Sequence, residues 1–115
     1  MEEVKLSWSY NEFKAYVLIY AAESNQVITE EEKEFIEDQF DSLIIKAMKK
    51  EFDIDTDYER IQKIMAFIEQ NNLGKKDLDS LLNEVKSVYL SDGKIDASEQ
   101  AVFQVLEKLF KLKLY

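Results

Sequence analysis

The chain has 115 residues, the size of one ordinary domain, and we expect a single all-helical domain over residues 1–115. With 46% hydrophobic residues, no proline and 2 glycines, the sequence is too apolar for disorder and too poor in turn residues for an all-β fold. The absence of cysteine and histidine excludes disulfides, thiolate nucleophiles, histidine bases and Cys/His zinc sites, and a formal charge of −9 disfavours nucleic acids and anionic membranes.

Helical periodicity and start signals predict a compact bundle of about five helices. Four of them open on a residue that can cap the helix, with a glutamate three positions later that can complete a capping box. The uncharged run 15–22 in the first helix is typical of a helix buried on most sides. The predicted helices cover residues 10–23, 29–48, about 56–70, 75–91 and 96 to near the C-terminus.

The turn before the second helix and the turn before the last helix are alike. Ser24-Asn25-Gln26-Val27-Ile28-Thr29-Glu30-Glu31-Glu32 aligns without a gap onto Ser91-Asp92-Gly93-Lys94-Ile95-Asp96-Ala97-Ser98-Glu99. The alignment suggests an internal repeat of a helix–turn–helix. A capped turn without any ligand also accounts for both strings, since Gly93 suits the left-handed residue after a helix.

The second of these turns also matches the latter half of an EF-hand loop. Its acids Asp92 and Asp96 and its closing Glu99 stand at positions that bind calcium in such loops. The first half is absent, because Val88 and Leu90 occupy the places of the first carboxylates, and a complete EF-hand is therefore excluded. A site of two or three carboxylates remains, to be completed by backbone, water or an acid from elsewhere in the fold.

A third acidic string, Asp53-Ile54-Asp55-Thr56-Asp57, imitates the opening of a calcium loop. It lacks the turn glycine, and Ile64 stands where the closing glutamate would be. We interpret the string as a solvated linker in which Thr56 caps the next helix. The single arginine, Arg60, is expected to pair with a surface acid such as Asp57 or Glu59.

The apolar first helix, the turn into 28–32 and the string 91–99 together resemble the TerB-like domain, a family associated with tellurite resistance and related stress systems. The resemblance implies an all-helical fold, acidic turns that bind a divalent cation (calcium or magnesium), and a non-catalytic role within a larger assembly. The first turn departs from the family pattern, because Ser24-Asn25-Gln26 stands where acids are expected. The metal ligands that the resemblance implies are Asp92, Asp96, Glu99 and Glu32.

Two functions follow from these observations. The first is a non-catalytic, TerB-like, stress-associated module that acts through a protein partner, with or without a bound cation. The alternative is an acidic, metal-free inhibitor or adaptor, of the immunity or antitoxin kind, that docks on a basic protein. Aromatic side chains on the surface would favour the alternative. The candidates are Trp8, Tyr10, Tyr58 and Tyr115, of which all but Tyr115 are expected to pack against the bundle.

An enzyme is disfavoured, because the sequence has no Gly-rich phosphate loop and no nucleophile motif. The N-terminus lacks the pattern of a secretory leader, and no segment has the length of an apolar membrane span. We therefore expect a cytoplasmic protein that binds neither nucleic acid nor membrane. The C-terminal apolar run 109–115 could pack inward or dock on another chain.

Overall fold

Six α-helices make up the secondary structure of the computed structural model, which describes residues 7–23, 29–91, 93 and 95–114, with side chains as far as Leu112. Among these residues there is no strand, and the all-α prediction is confirmed. The helices are α1 (Tyr10–Glu23), α2 (Glu30–Gln39), α3 (Ser42–Ile54), α4 (Asp57–Gln70), α5 (Lys75–Leu90) and α6 (Ala97–Leu114).

The first helix, α1, lies at the centre and contacts each of the other five helices. Its residues 15–22 are all buried, as the uncharged run predicts, because a helix surrounded by others has no solvent face on which to place a charge. Side chains from the other five helices pack with those of α1 in one apolar cluster. This cluster includes Ile36, Phe52, Ile64, Val85 and Leu106.

The predicted helix 29–48 is in fact two helices. The chain leaves α2 at Phe40, whose backbone is extended, and Asp41 starts α3 by accepting the Leu43 N–H at 2.9 Å. The apolar spacing continues across this break and so predicts a single helix, although Asp41 is a residue type that favours N-caps. The break separates α3 from α2, and α3 packs chiefly against α1.

The predicted capping boxes are present at the starts of four helices. In each, the cap side chain accepts the backbone N–H of the third helical residue, and the glutamate there accepts the N–H of the cap residue. The pairs are Ser9 with Glu12, Thr29 with Glu32, Thr56 with Glu59, and Asp96 with Glu99.

Left-handed residues end two of the helices. Asn72, with φ of 52°, follows α4 and lets the Leu73 N–H reach back to the Ile68 carbonyl at 3.1 Å. Gly93, with φ of 105°, follows α5, and its N–H donates to the Leu90 carbonyl at 2.9 Å. The sequence-based expectation for Gly93 is thus confirmed, because glycine adopts this conformation without a steric penalty.

The two ends of the described chain differ in how they pack. Trp8 folds back onto Tyr16, with ring centroids 4.6 Å apart, and its indole N–H donates to a Glu51 carboxylate oxygen at 3.3 Å. In the C-terminal run, Phe110 is buried whereas Leu112 is exposed, and Tyr115 lies outside the described residues. No helix in the described part of the chain combines the length and apolar character that crossing a membrane requires.

Candidate site at two facing helix caps

Two buried glutamates lie together where the first turns of α2 and α6 meet. Glu32 is completely buried and Glu99 almost so, although both are acids in the first turn of a helix, where side chains are usually solvated. Each is the third residue of its capping box, and in the alignment of the two turns they occupy the same position. The fold thus brings together the equivalent glutamates of the two similar turns.

Each glutamate uses one carboxylate oxygen to cap its own helix. Oε1 of Glu32 accepts the N–H of Thr29 at 3.0 Å and its hydroxyl at 3.1 Å. Oε1 of Glu99 accepts the Asp96 N–H at 3.1 Å, while the Asp96 carboxylate accepts the Glu99 N–H at 2.8 Å. The caps therefore fix the position of both side chains and leave the second oxygen of each carboxylate for another partner.

The two carboxyl groups are within hydrogen-bonding reach of each other. Oε2 of Glu32 is buried and has no hydrogen-bond partner. A buried polar atom without a partner costs about 1–3 kcal/mol, and more when it carries charge. Among the described residues neither glutamate forms an ion pair. Two facing carboxylates that are both charged are unfavourable in this buried environment, and a proton or a cation between them would stabilise the arrangement.

The pKa of Glu99 reflects this arrangement. Burial raises it first, and the facing Glu32 carboxyl adds to the effect, because it can accept a hydrogen bond from a protonated Glu99; the negative charges of Glu32 and Asp96 add more. The backbone hydrogen bond from Asp96 acts in the opposite direction, and the pKa settles at about 7. In the absence of a cation, one proton is therefore held between the two carboxyl groups up to about neutral pH.

Tyr89 from α5 lies beside the glutamate pair. It is fully buried, and its hydroxyl donates to the Ala21 carbonyl in α1 at 2.8 Å. Burial raises the pKa of Tyr89 above its usual value, and the nearby charges of Glu99 and Glu32 raise it further. The phenol consequently remains a neutral hydrogen-bond donor to α1 and does not act as an acid or a metal-binding phenolate at ordinary pH.

The four predicted ligands are not all brought together. Glu32 and Glu99 meet, whereas the carboxylate of Asp96 is occupied in capping α6, and Asp92 lies outside the described residues. Within the described part of the chain, no cluster of three or more acidic, histidine or cysteine side chains could enclose a metal ion. The described protein ligands are thus two carboxylates, a donor set that suits magnesium or calcium when water or backbone oxygens complete the coordination.

The third acidic string is more buried than the sequence predicts. Asp55 is buried and accepts from Lys63 Nζ at 2.9 and 2.8 Å and from the Tyr16 hydroxyl at 2.7 Å. Lys63 also donates to Glu51 at 2.9 Å. The interpretation as a solvated linker is therefore wrong for Asp55, although Thr56 does cap α4. Because both oxygens of Asp55 are satisfied, this cluster holds α1, α3 and α4 together and offers no free ligand.

The prediction for Arg60 is also wrong. Its guanidinium donates to the Phe52 carbonyl through Nε at 3.1 Å and through Nη2 at 2.8 Å. It also stacks over the Phe52 ring, 3.7 Å from the centroid. The carbonyls in the last turn of a helix lack partners within the helix, and an arginine that supplies two donors there stabilises the end of α3.

Comparison with known proteins adds no relative to this description: no protein-family model matches the chain, and neither curated proteins nor solved structures give a significant match. Within the described part of the chain, the buried side-chain oxygen without a hydrogen-bond partner is Oε2 of Glu32, whose carboxyl group faces Glu99.

Proposed function

We propose that this chain is a non-catalytic helical module that binds a divalent cation, magnesium or calcium, between the first turns of α2 and α6. The observation that supports it is the pair Glu32 and Glu99, buried face to face, with Oε2 of Glu32 lacking any partner. A cation placed between the two carboxylates neutralises both and supplies the missing partner. This arrangement satisfies charges that burial otherwise makes unfavourable.

The chemistry of the pair selects a class of ion. Carboxylate oxygens are hard ligands, which calcium and magnesium prefer, and the chain has no cysteine or histidine to favour zinc or copper. Magnesium in particular commonly takes one or two carboxylates and keeps several waters. The ligand from each turn is the equivalent residue of the repeated string, which is the pattern that the TerB-like resemblance implies.

An ion at this position would link two helices of the bundle. Glu32 and Glu99 belong to helices far apart in sequence, so an ion shared between them ties α2 to α6 beside the central helix. Binding would stabilise this arrangement without any chemical turnover, as expected of an adaptor in a stress-associated assembly with a protein partner.

The metal-free alternative is an acidic protein that docks on a basic partner. It is supported by the solvent face of α2, where Glu30, Glu31 and Glu34 are all exposed. In that case one shared proton would satisfy the glutamate pair, and steering by the −9 charge would speed association with a basic protein.

A thermal melt of chelator-treated protein at slightly alkaline pH, with and without millimolar magnesium or calcium, separates the two functions. An ion present at about 100 times its dissociation constant stabilises the folded state by about 2.7 kcal/mol, which raises Tm by about 10 °C in a domain of this size. Glu32→Gln and Glu99→Gln should each abolish the shift. The matched control is Glu59→Gln, which alters a capping-box glutamate that is exposed.

The cation proposal fails if neither ion raises Tm in the unmodified protein. It also fails if Glu59→Gln removes the shift as completely as the two buried substitutions do. Glutamine retains the cap geometry, because it can still accept the N–H of the cap residue, so loss of the shift in a folded variant reports on the ion and not on the helix start.

A further inference from the structure

The outer surface of α3 carries a second apolar stripe, opposite the side that packs on α1. Met48 and Phe52 point into the core. On the other side, residues spaced three and four apart fall on one helical face and are all exposed. We call this set the α3 outer stripe, and it consists of Leu43, Lys46, Ala47, Lys50 and Ile54.

The apolar members of the α3 outer stripe are unusually open to solvent. Leu43 is 75% exposed and Ile54 is 73% exposed, the highest values for large hydrophobic side chains in the described residues. Tyr58, at the start of α4 and close in sequence to Ile54, is 66% exposed. Single exposed apolar side chains are common, but Leu43 and Ile54 share one helix face with exposed Ala47 between them, an arrangement suited to an interaction surface.

The charges on this stripe have the opposite sign to those of the protein as a whole. Lys46 and Lys50 are exposed and form no ion pair with the described residues, in contrast to Lys49 on the flank of α3, which pairs with Glu23 at 2.8 Å and Asp53 at 2.6 Å. The chain has a formal charge of −9. Two available cations beside exposed leucine and isoleucine therefore form a local basic and apolar surface on an acidic molecule.

We propose that the α3 outer stripe docks an acidic amphipathic helix of a partner protein. The apolar side chains of such a helix would cover Leu43, Ala47 and Ile54, and its carboxylates would lie beside Lys46 and Lys50. From Leu43 to Ile54 the stripe is roughly 16 Å long, which corresponds to about three turns of a partner helix. This inference does not depend on the cation site, which involves α2 and α6.

Charge complementarity favours this occupant over two others. A second copy of the chain packed through the same stripe would bring four lysines together, which is repulsive. An anionic membrane would attract the two lysines but would repel the rest of a molecule with a charge of −9. An acidic amphipathic helix is complementary both to the charge of the lysines and to the apolar side chains.

Fluorescence anisotropy with the full chain and a labelled synthetic peptide tests the proposal. The peptide has about four helical turns, leucines at positions i, i+4, i+7 and i+11, and glutamates beside them. A scrambled peptide of the same composition separates helical patterning from simple charge attraction. Vesicles with and without anionic phosphatidylserine test the membrane, and sedimentation of the protein alone tests self-association.

We expect the patterned peptide to bind. The double variants Lys46→Glu/Lys50→Glu and Leu43→Ser/Ile54→Ser should each weaken binding at least about tenfold, because one removes charge complementarity and the other the apolar contacts. The matched control is Lys108→Glu/Lys111→Glu, which makes the same charge change on exposed positions of α6 and should stay within about twofold of the unmodified protein. Circular dichroism verifies that each variant is folded. Because the replaced side chains are exposed, we expect all of these variants to fold.

Four results would overturn the proposal: no binding of the patterned peptide, equal binding of the scrambled peptide, an equal loss in the α6 control, or a loss in only one of the two stripe variants. Phosphatidylserine-dependent vesicle binding that needs Lys46 and Lys50 would instead assign the stripe to a membrane surface. Self-association that Leu43→Ser/Ile54→Ser abolishes would assign it to a second copy of the chain.

Discussion

Replacing Glu99 by glutamine should make the metal-free protein more stable at alkaline pH. In the folded protein the pKa of Glu99 is raised from 4.5 to about 7, chiefly by burial and by the Glu32 carboxyl. At about 1.4 kcal/mol per pKa unit, ionising Glu99 in place costs about 3 kcal/mol. Glutamine stays neutral, can still accept the Asp96 N–H, and can donate to the unpartnered oxygen of Glu32.

The pH dependence has a definite sign. A carboxyl whose pKa is higher in the folded state stabilises the fold fully below the unfolded pKa, near 4.5, and this contribution is lost as the pH rises to about 7. Above about pH 7 the contribution of Glu99 is constant. The stability difference between Glu99→Gln and the unmodified protein should therefore be small near pH 4.5, grow through this window, and level off at up to about 3 kcal/mol.

Urea denaturation followed by circular dichroism, in the presence of a chelator and at a series of pH values, measures this difference. Glu59→Gln is the reference, because Glu59 has the same capping role but is exposed, and the rise found with Glu99→Gln should exceed any change found with this variant. A Glu99→Gln curve that is flat between about pH 5 and 7.5, or that falls with rising pH, would refute the account of the glutamate pair.

Two further predictions concern the fold. Asp55→Ala leaves the buried Tyr16 hydroxyl without its acceptor and removes a counter-ion of Lys63. It should lower the free energy of unfolding, measured by urea denaturation, by about 3–5 kcal/mol. The control Asp53→Ala, which removes an exposed ion pair, should cost less than about 1 kcal/mol. Asp41→Ala removes the N-cap of α3 and should cost about 1 kcal/mol by the same assay; no measurable loss would show that the cap does not define the break between α2 and α3.

Local signals in the sequence predict most of the helical framework. Ser9 with Glu12 and Thr56 with Glu59 mark helix starts because a capping box involves residues only three positions apart. Apolar spacing does not predict the break at Asp41, because it depends only on which side chains face inward. That spacing continues across Phe40, where the backbone is extended and no longer helical.

Contacts between distant residues are harder to read from one sequence. The alignment of the two turns identifies Glu32 and Glu99 as equivalent, but it carries no information that the fold buries them against each other. Likewise, nothing near Lys63 in the sequence indicates that its partners include Asp55, which Tyr16 also contacts from another helix. Such pairings depend on how helices pack and are set by tertiary structure.

Trp8 gives the protein an internal optical probe of one part of its core. It is the single tryptophan of the chain and packs on Tyr16 near the middle of α1, whereas Tyr89, which lies beside the glutamate caps, bonds to Ala21 near the end of that helix, roughly 8 Å farther along its axis. Its emission therefore reports on unfolding at the junction of α1, α3 and α4, while far-UV circular dichroism averages over all helices. Coincidence of the two transitions would mean that this junction melts together with the other helices as one cooperative unit, and an earlier dichroism transition would mean that helices elsewhere in the fold open first.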